Sequence, residues 1–279
     1  MSNCIKMNVR SFWSGGVLFM NYETLQLAIE NRKATLTLNR PDAMNSMNFQ
    51  MLRELADCFE SLHEEKDVQV LVVRGEGRVF SAGGDVKMMV SSTDPNDFNG
   101  IMGAITRLVK AYYTLPMITV AQIHGAAAGL GLSLALGSDI VVAEEPSKIA
   151  MNFIGIGLVP DGGGHFFMKE RLGTVKAKQA IWEGRVMNGA EALELGLIDY
   201  NVGEGTAAAT VDQVVGKILA SPVLSMIETK LILHAARLPE LEAILTAEEA
   251  GQIRMRHTAD HLEGIRAFVE KRVPEFKGR

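Results

Sequence analysis

Residues 125–164 constrain the fold more than any other stretch of the chain. They read GAAAGLGLSLALGSDIVVAEEPSKIAMNFIGIGLVPDGGG. An apolar strand, Met117–Ile123, feeds the turn His124-Gly125, and Gly129, Leu130 and Gly131 open a short apolar helix. The first N–H groups of a helix lack intrahelical partners and carry the positive end of its dipole. A strand running into such a helix start is a fixed donor for a developing negative charge. A second strand, Asp139–Ala143, follows, and the stretch ends in the polar turn Pro160-Asp161-Gly162. The pattern points to an anion held at the Gly129 end and a proton moved by Asp161.

The rest of the chain sets these features in an α/β frame. Tyr22–Glu30 and Lys33–Leu38 alternate apolar and polar residues around Asn31-Arg32, a hairpin signal. Asn48 caps a predicted helix to about Glu64, and Val68–Arg74 reads as a buried strand. Val79–Asp85 is a second strand-to-glycine element, ending in Gly83-Gly84. A helix is predicted over Phe98–Tyr113. Alternating strands and helices argue for parallel pairing. From about Thr174 the pattern turns helical: Val175–Glu183, Ala190–Leu195, Ala207–Ala220, Val223–Ala236, Glu240–Gly251 and His257–Lys271, with a short strand at Ile198–Val202. The expected organisation is a β/α core over residues 20–200 and a helical region over residues 201–279.

Residues 1–19 are expected to be a poorly ordered leader. The apolar run there is short and broken by Ser14-Gly15-Gly16, unlike a signal peptide. Codons for Ser-Gly-Gly-Val can spell a purine-rich ribosome-binding site ahead of Met20, which makes Met20 the expected natural start. A gene without a GGAGG run at Ser14 would remove that reading.

Composition excludes several function classes. A net charge of −5 argues against a nucleic-acid binder, and no apolar run nears the roughly 18 residues of a membrane span. Two distant cysteines, Cys4 and Cys58, predict a reducing, cytoplasmic setting without disulfides. The histidines lack Ser or Cys partners at recognisable spacing. His257 and His261 are four apart but have no third ligand, so no metal site is expected.

For the glycine exits and for Asp161, pattern alone leaves two readings. Gly83-Gly84 and Gly129-Leu130-Gly131 let backbone approach a ligand, or they only permit tight turns and close packing. Two N–H groups converging on one oxygen contribute roughly 3–4 kcal/mol per donor. Pro160-Asp161-Gly162 is either a surface turn or a carboxylate held against apolar Ile154–Val159, where burial makes it a usable base near neutral pH.

Taken together, these motifs resemble the crotonase superfamily, the enoyl-CoA hydratase/isomerase family. Leu38-Asn39-Arg40-Pro41 with Met44-Asn45 is similar to the family's first loop. Phe80–Asp85 and Gly125–Leu130 are similar to its two oxyanion loops, and Ala267–Arg272 to its C-terminal helix. The resemblance implies a spiral of β-β-α units with a C-terminal helical trimerisation region, assembled as a trimer or dimer of trimers. It implies that the N–H groups of Gly84 and Leu130 bind a thioester oxygen beside Gly129, and that Ala43, Ala82, Asp85 and Val86 line the CoA groove. Phe268 and Lys271 are implied to enclose the CoA, including that of a neighbouring subunit. CoA is then part of an acyl-CoA substrate, with no metal or redox cofactor.

Family hydratases carry two glutamates where this chain has Ser133 and Phe153. Neither residue activates water, and Glu144 and Glu145, nearby in sequence at the strand-end turn before Pro146, are the candidate replacements. The G-L-V-P-D-G-G turn is similar to the isomerase branch, including the phenylacetate-pathway isomerases, in which an aspartate at the position of Asp161 is the acid/base. The expectation is therefore an enoyl-CoA isomerase. A hydratase with unusual acids and a non-catalytic acyl-CoA-binding member are the alternatives. Met88, Met89, Ile101 and Phe166 are candidate acyl-pocket residues.

Overall fold

The computed structural model describes residues 10–85 and 95–279. The chain begins with the antiparallel strands β1 (Arg10–Ser14), β2 (Val17–Asn21), β3 (Leu25–Glu30) and β4 (Lys33–Leu38). Residues 10–19 are thus a hairpin and not the disordered tail expected from sequence. Gly15 and Gly16 adopt φ of +59° and +83°, the conformation a two-residue hairpin turn needs, and Phe12 stacks on Phe19 at 5.2 Å. The remainder of the expected leader, residues 1–9, lies outside the described residues.

Asn48 caps α1 (Phe49–Leu62) by accepting the Met51 N–H, and β5 (Val70–Gly75), α2 (Pro95–Tyr113) and β6 (Ile118–Ile123) follow. A short strand β7 (Ala126–Ala128) leads into α3 (Leu130–Leu136), then β8 (Ile140–Glu144) and β9 (Lys148–Ala150). The main sheet runs β1-β2-β3-β4-β5-β6-β8, and from β4 onward its pairs are parallel. β7 and β9 pair separately, a small second sheet that sequence did not reveal. The predicted strand at Val79–Asp85 is instead an extended segment tied by single bridges, Ser81 to Ala127 and Gly84 to Met47. It spreads its hydrogen bonds over two neighbours, so no continuous ladder forms.

The second half holds α4 (Gly164–Glu183), α5 (Gly189–Leu195), β10 (Tyr200–Val202), α6 (Ala207–Ala220), α7 (Val223–Arg256) and α8 (Ala259–Glu270). β10 extends the main sheet beside β8. Helix α4 starts eleven residues before the predicted Val175 and turns at Gly173, where φ is +71°. Helix α7 runs through Pro239 as one element where two were predicted. Burial of Leu241, Leu245, Glu248 and Gln252 on one face holds it across the proline.

Strand alternation divides the core. Leu71 and Val73 face one apolar cluster with α1 and α2, while Val70, Val72, Ile118, Val120 and Val142 face another built on Val211, Val214, Val215 and Ile218 of α6. Both faces of the parallel strands are covered, which is why Val70–Val73 reads as one apolar run. Among the described residues no single helix is long and apolar enough to cross a membrane.

Candidate active site

The two glycine exits meet. Gly83 has φ of +97°, and its carbonyl accepts the Met47 N–H at 2.7 Å. A Cβ on Gly83 would stand 2.6 Å from the Ala128 carbonyl oxygen and 3.5 Å from the Leu130 nitrogen. Behind the same junction, a Cβ on Gly131 would lie 2.8 Å from Ser81. These glycines are therefore packing requirements that bring Gly84 and the start of α3 side by side. The Gly129 N–H is taken by the Ala150 carbonyl at 2.9 Å. Leu130, as the first residue of α3, has no i−4 carbonyl to serve, and Gly84 donates no backbone hydrogen bond among the described residues.

Gly84, Leu130, Phe153 and Asp161 line one pocket. Apolar side chains make up much of the rest of its wall, Met47 and Leu52 on one side and Phe98, Ile101, Met102 and Ile105 of α2 on the other, and Gln252 and Arg256 of the long C-terminal helix α7 complete it. Asp161 is buried, and so is every neighbour that fixes it. The Ser133 hydroxyl donates to the Asp161 backbone carbonyl at 2.8 Å. Gln252 donates through Nε2 to Asp161 Oδ2 at 3.2 Å and to the Val159 carbonyl at 2.6 Å. Glu248 accepts the Gly163 N–H at 2.8 Å and the His165 N–H at 3.0 Å. Burial pushes the Asp161 carboxyl well above the usual carboxylate range, and the negative charge of Glu248 raises it further.

The polar turn explains Ser133. A Cβ on Gly164 would come within 2.9 Å of the Ser133 hydroxyl, and one on Gly162 within 3.2 Å of the Ser133 Cβ. A longer side chain at position 133 would push this turn, and Asp161 with it, away. Ser133→Ala keeps the space and removes one hydrogen bond. The Asp161 carbonyl retains the Gly164 N–H at 3.0 Å. The expected loss is about 0.5–1.5 kcal/mol of stability, read as a lower denaturation midpoint with unchanged slope.

Comparison with known proteins decides the lineage. The enoyl-CoA hydratase/isomerase family model matches residues 28–279. The chain belongs to the enoyl-CoA hydratase/isomerase family. It is 48% identical over 255 residues to a Bacillus subtilis protein named as an enoyl-CoA hydratase/isomerase, YhaR, covering 91% of this chain and 99% of that one. It is 33% identical over 256 residues to the 1,2-epoxyphenylacetyl-CoA isomerase of Escherichia coli, covering 90% and 97%. Among solved structures, an enoyl-CoA hydratase from Mycobacterium avium subsp. paratuberculosis superposes with a TM-score of 0.83 at 33% identity, covering 91% and 98%. The α/β fold with its C-terminal helices is that of this family.

The family-derived positions separate in space. Gly84, Leu130, Phe153 and Asp161 share the pocket, with Ser133 behind Asp161. Ala43, Ala82 and Asp85 lie on the adjoining loops: the Ala82 N–H bonds the Met44 carbonyl at 3.0 Å, and Asp85 pairs with Arg40 at 3.1 Å. Phe268 and Lys271 are exposed at the end of α8 and do not line the pocket of their own chain. Val86, Met88 and Met89 lie outside the described residues. Ile101 lines the pocket, whereas Phe166 packs edge-on to Tyr113 in the core.

The spare carboxylates point elsewhere. Glu144 accepts the Ala207 N–H at 3.4 Å and Glu145 bonds the Asn201 amide, both at the β10 end of the sheet. The buried histidine His261 bonds the Ile156 carbonyl, and His234 stacks on Tyr113. No cluster of three metal-ligating side chains occurs among the described residues. Sequence reading missed Glu248 and Gln252. They lie 87 and 91 residues after Asp161 on the long helix α7, and a contact at that separation leaves no local signal.

Proposed function

We propose that this protein is an enoyl-CoA isomerase that moves a double bond into conjugation with a thioester. The observation that carries the reading is that Asp161, buried, is the one carboxylate among the described residues lining the pocket that Gly84 and Leu130 also line. The positions that carry acids in family hydratases are a serine bonded to the Asp161 backbone and a phenylalanine. Relatives of both kinds stand at similar identity, an isomerase acting on a phenylacetyl-CoA derivative at 33% and an enoyl-CoA hydratase structure at 33%, so the reading rests on the pocket and not on identity.

In this reading the thioester carbonyl lies between the two N–H groups. Asp161 removes a proton from the α-carbon of a 3-enoyl-CoA. Negative charge spreads onto the carbonyl oxygen, where the two donors hold it. Asp161 returns the proton to the γ-carbon, and the double bond ends between the α- and β-carbons. One carboxylate suffices because no water is added, and Phe153 helps keep water from the dienolate. CoA enters as part of the substrate, and no further cofactor takes part. Exposed Phe268 and Lys271 are assigned to the CoA of a neighbouring subunit in a homo-oligomer.

A paired assay tests the reading. One arm supplies a 3-enoyl-CoA and follows the conjugated thioester; the other supplies crotonyl-CoA and follows hydration. Activity confined to the first arm is expected. Hydration at a comparable rate would replace the isomerase reading with the hydratase one, and acyl-CoA binding without turnover in either arm would favour a binding protein.

A further inference from the structure

We propose that Gln252 and Glu248 are the positioning residues of Asp161. Gln252 holds Oδ2 and leaves Oδ1 as the one oxygen that exchanges protons with substrate. Glu248 locks the turn and sets a second negative charge behind the carboxylate. The proposal rests on the isomerase reading and deepens it to the atom that moves the proton.

The geometry of α7 supports both assignments. Glu248 and Gln252 are one helical turn apart, on one face, and both are almost completely buried. The Gln252 amide serves two acceptors at once, the Val159 carbonyl and Asp161 Oδ2. Turning the amide over would set its oxygen against both, so its orientation is fixed. With Oδ2 held, the carboxylate cannot rotate freely. Oδ1 is buried and has no hydrogen-bond partner among the described residues. A buried carboxylate oxygen left unpaired is costly, and its use is as the free base.

Glu248 grips the turn from behind. Its Oε2 takes the Gly163 N–H, and its Oε1 takes the His165 N–H and contacts His165 Nδ1 at 2.8 Å. Both backbone donors lie within four residues of Asp161, at the start of α4. Among the described residues, the charged and titratable groups around the carboxylate are then Glu248 from α7, His165 of α4 acting through Glu248, and Arg256, one turn past Gln252 on the pocket wall. Glu248 opposes ionisation of Asp161, and the Gln252 hydrogen bond favours it.

The proton balance closes on one atom. The α-carbon C–H bond breaks as an O–H bond forms on Oδ1, and the electron pair enters the thioester. The O–H bond then breaks as a C–H bond forms at the γ-carbon, and the carbonyl is restored. No proton is gained or lost overall.

The test combines kinetics with 13C NMR of protein labelled at the aspartate carboxyl carbons, the Asp161 signal being assigned by its loss in Asp161→Asn. Glu248→Gln should move the Asp161 titration midpoint and the acid limb of kcat/KM to lower pH. Gln252→Glu should move both to higher pH. Gln252→Met should lower kcat by about 10²-fold, the scale of a misplaced catalytic group, with KM little changed. It should also raise the fraction of solvent deuterium carried to the γ-carbon. A uniform loss at every pH, with limb and midpoint unmoved in both charge variants, would overturn the electrostatic role. Wild-type kcat in Gln252→Met would overturn the role of Oδ2. The Gln252 variants keep the test decisive if Glu248→Gln does not fold. Midpoint shifts in a protein that shows no isomerisation would refute the isomerase reading while upholding the effect of Glu248 on Asp161.

Discussion

Asp161→Asn is expected to lower isomerase turnover by about 10²–10⁴-fold, the contribution typical of a positioned acid/base group. Asparagine matches the shape of the side chain and can still bond Gln252, but it cannot carry the proton. Acyl-CoA affinity should change little, because the pocket walls and the two N–H groups stay in place. Near-normal turnover would remove Asp161 from the mechanism. The same variant should be more stable than wild type at neutral pH. Burial holds the folded-state pKa of Asp161 above its unfolded value. Its protonation thus favours the folded state. That stability is fully present below the unfolded pKa, about 3.9, and is lost as pH rises through the folded value. Thermal melts should show Asp161→Asn above wild type at pH 7 and converging with it near pH 3. A higher melting point together with lost activity is the signature of a group kept for function at the expense of stability.

Gly83→Ala is the second large effect. At φ of +97° an alanine is strained, and its Cβ would be driven to 2.6 Å from the Ala128 carbonyl oxygen. Relief requires Gly84 and Leu130 to move apart. Losing one donor of an oxyanion pair costs about 10²–10³ in kcat, so kcat should fall by at least that much while KM changes less. Gly131→Ala acts from behind, where its Cβ meets Ser81 at 2.8 Å, and should lower kcat in the same direction without strained backbone. Circular dichroism and acyl-CoA binding separate this effect from unfolding. A folded Gly83→Ala or Gly131→Ala protein with wild-type kcat would show that these N–H groups do not hold the developing charge.

Much of the local structure was legible in the sequence because it is set by local chemistry. The β3–β4 hairpin follows from apolar alternation about Asn31-Arg32, α1 from its Asn48 cap, and α3 from Gly129-Leu130-Gly131 at the end of a strand. Asp161 stood out as a polar turn beside an apolar run. Family resemblance added which glycines and which carboxylate to watch. The β1–β2 hairpin escaped because a short apolar segment broken by Ser14-Gly15-Gly16 near the N-terminus reads as a tail unless a sheet edge is there to receive it. The merging of α7 across Pro239 escaped because a proline breaks an isolated helix, and the tertiary burial of Leu241, Leu245, Glu248 and Gln252 offsets that cost.

What the sequence by itself determined is the inventory: two glycine strand exits and one carboxylate in a turn beside an apolar run. Tertiary structure decided how that inventory acts. It set Gly84 beside Leu130, sealed Asp161 from solvent, and brought Glu248 and Gln252 across more than 80 residues to hold it. The reason is physical. Turn, cap and strand preferences arise between neighbours in sequence. The basicity of a carboxylate and the aim of its free oxygen depend on burial and on partners that only folding brings together.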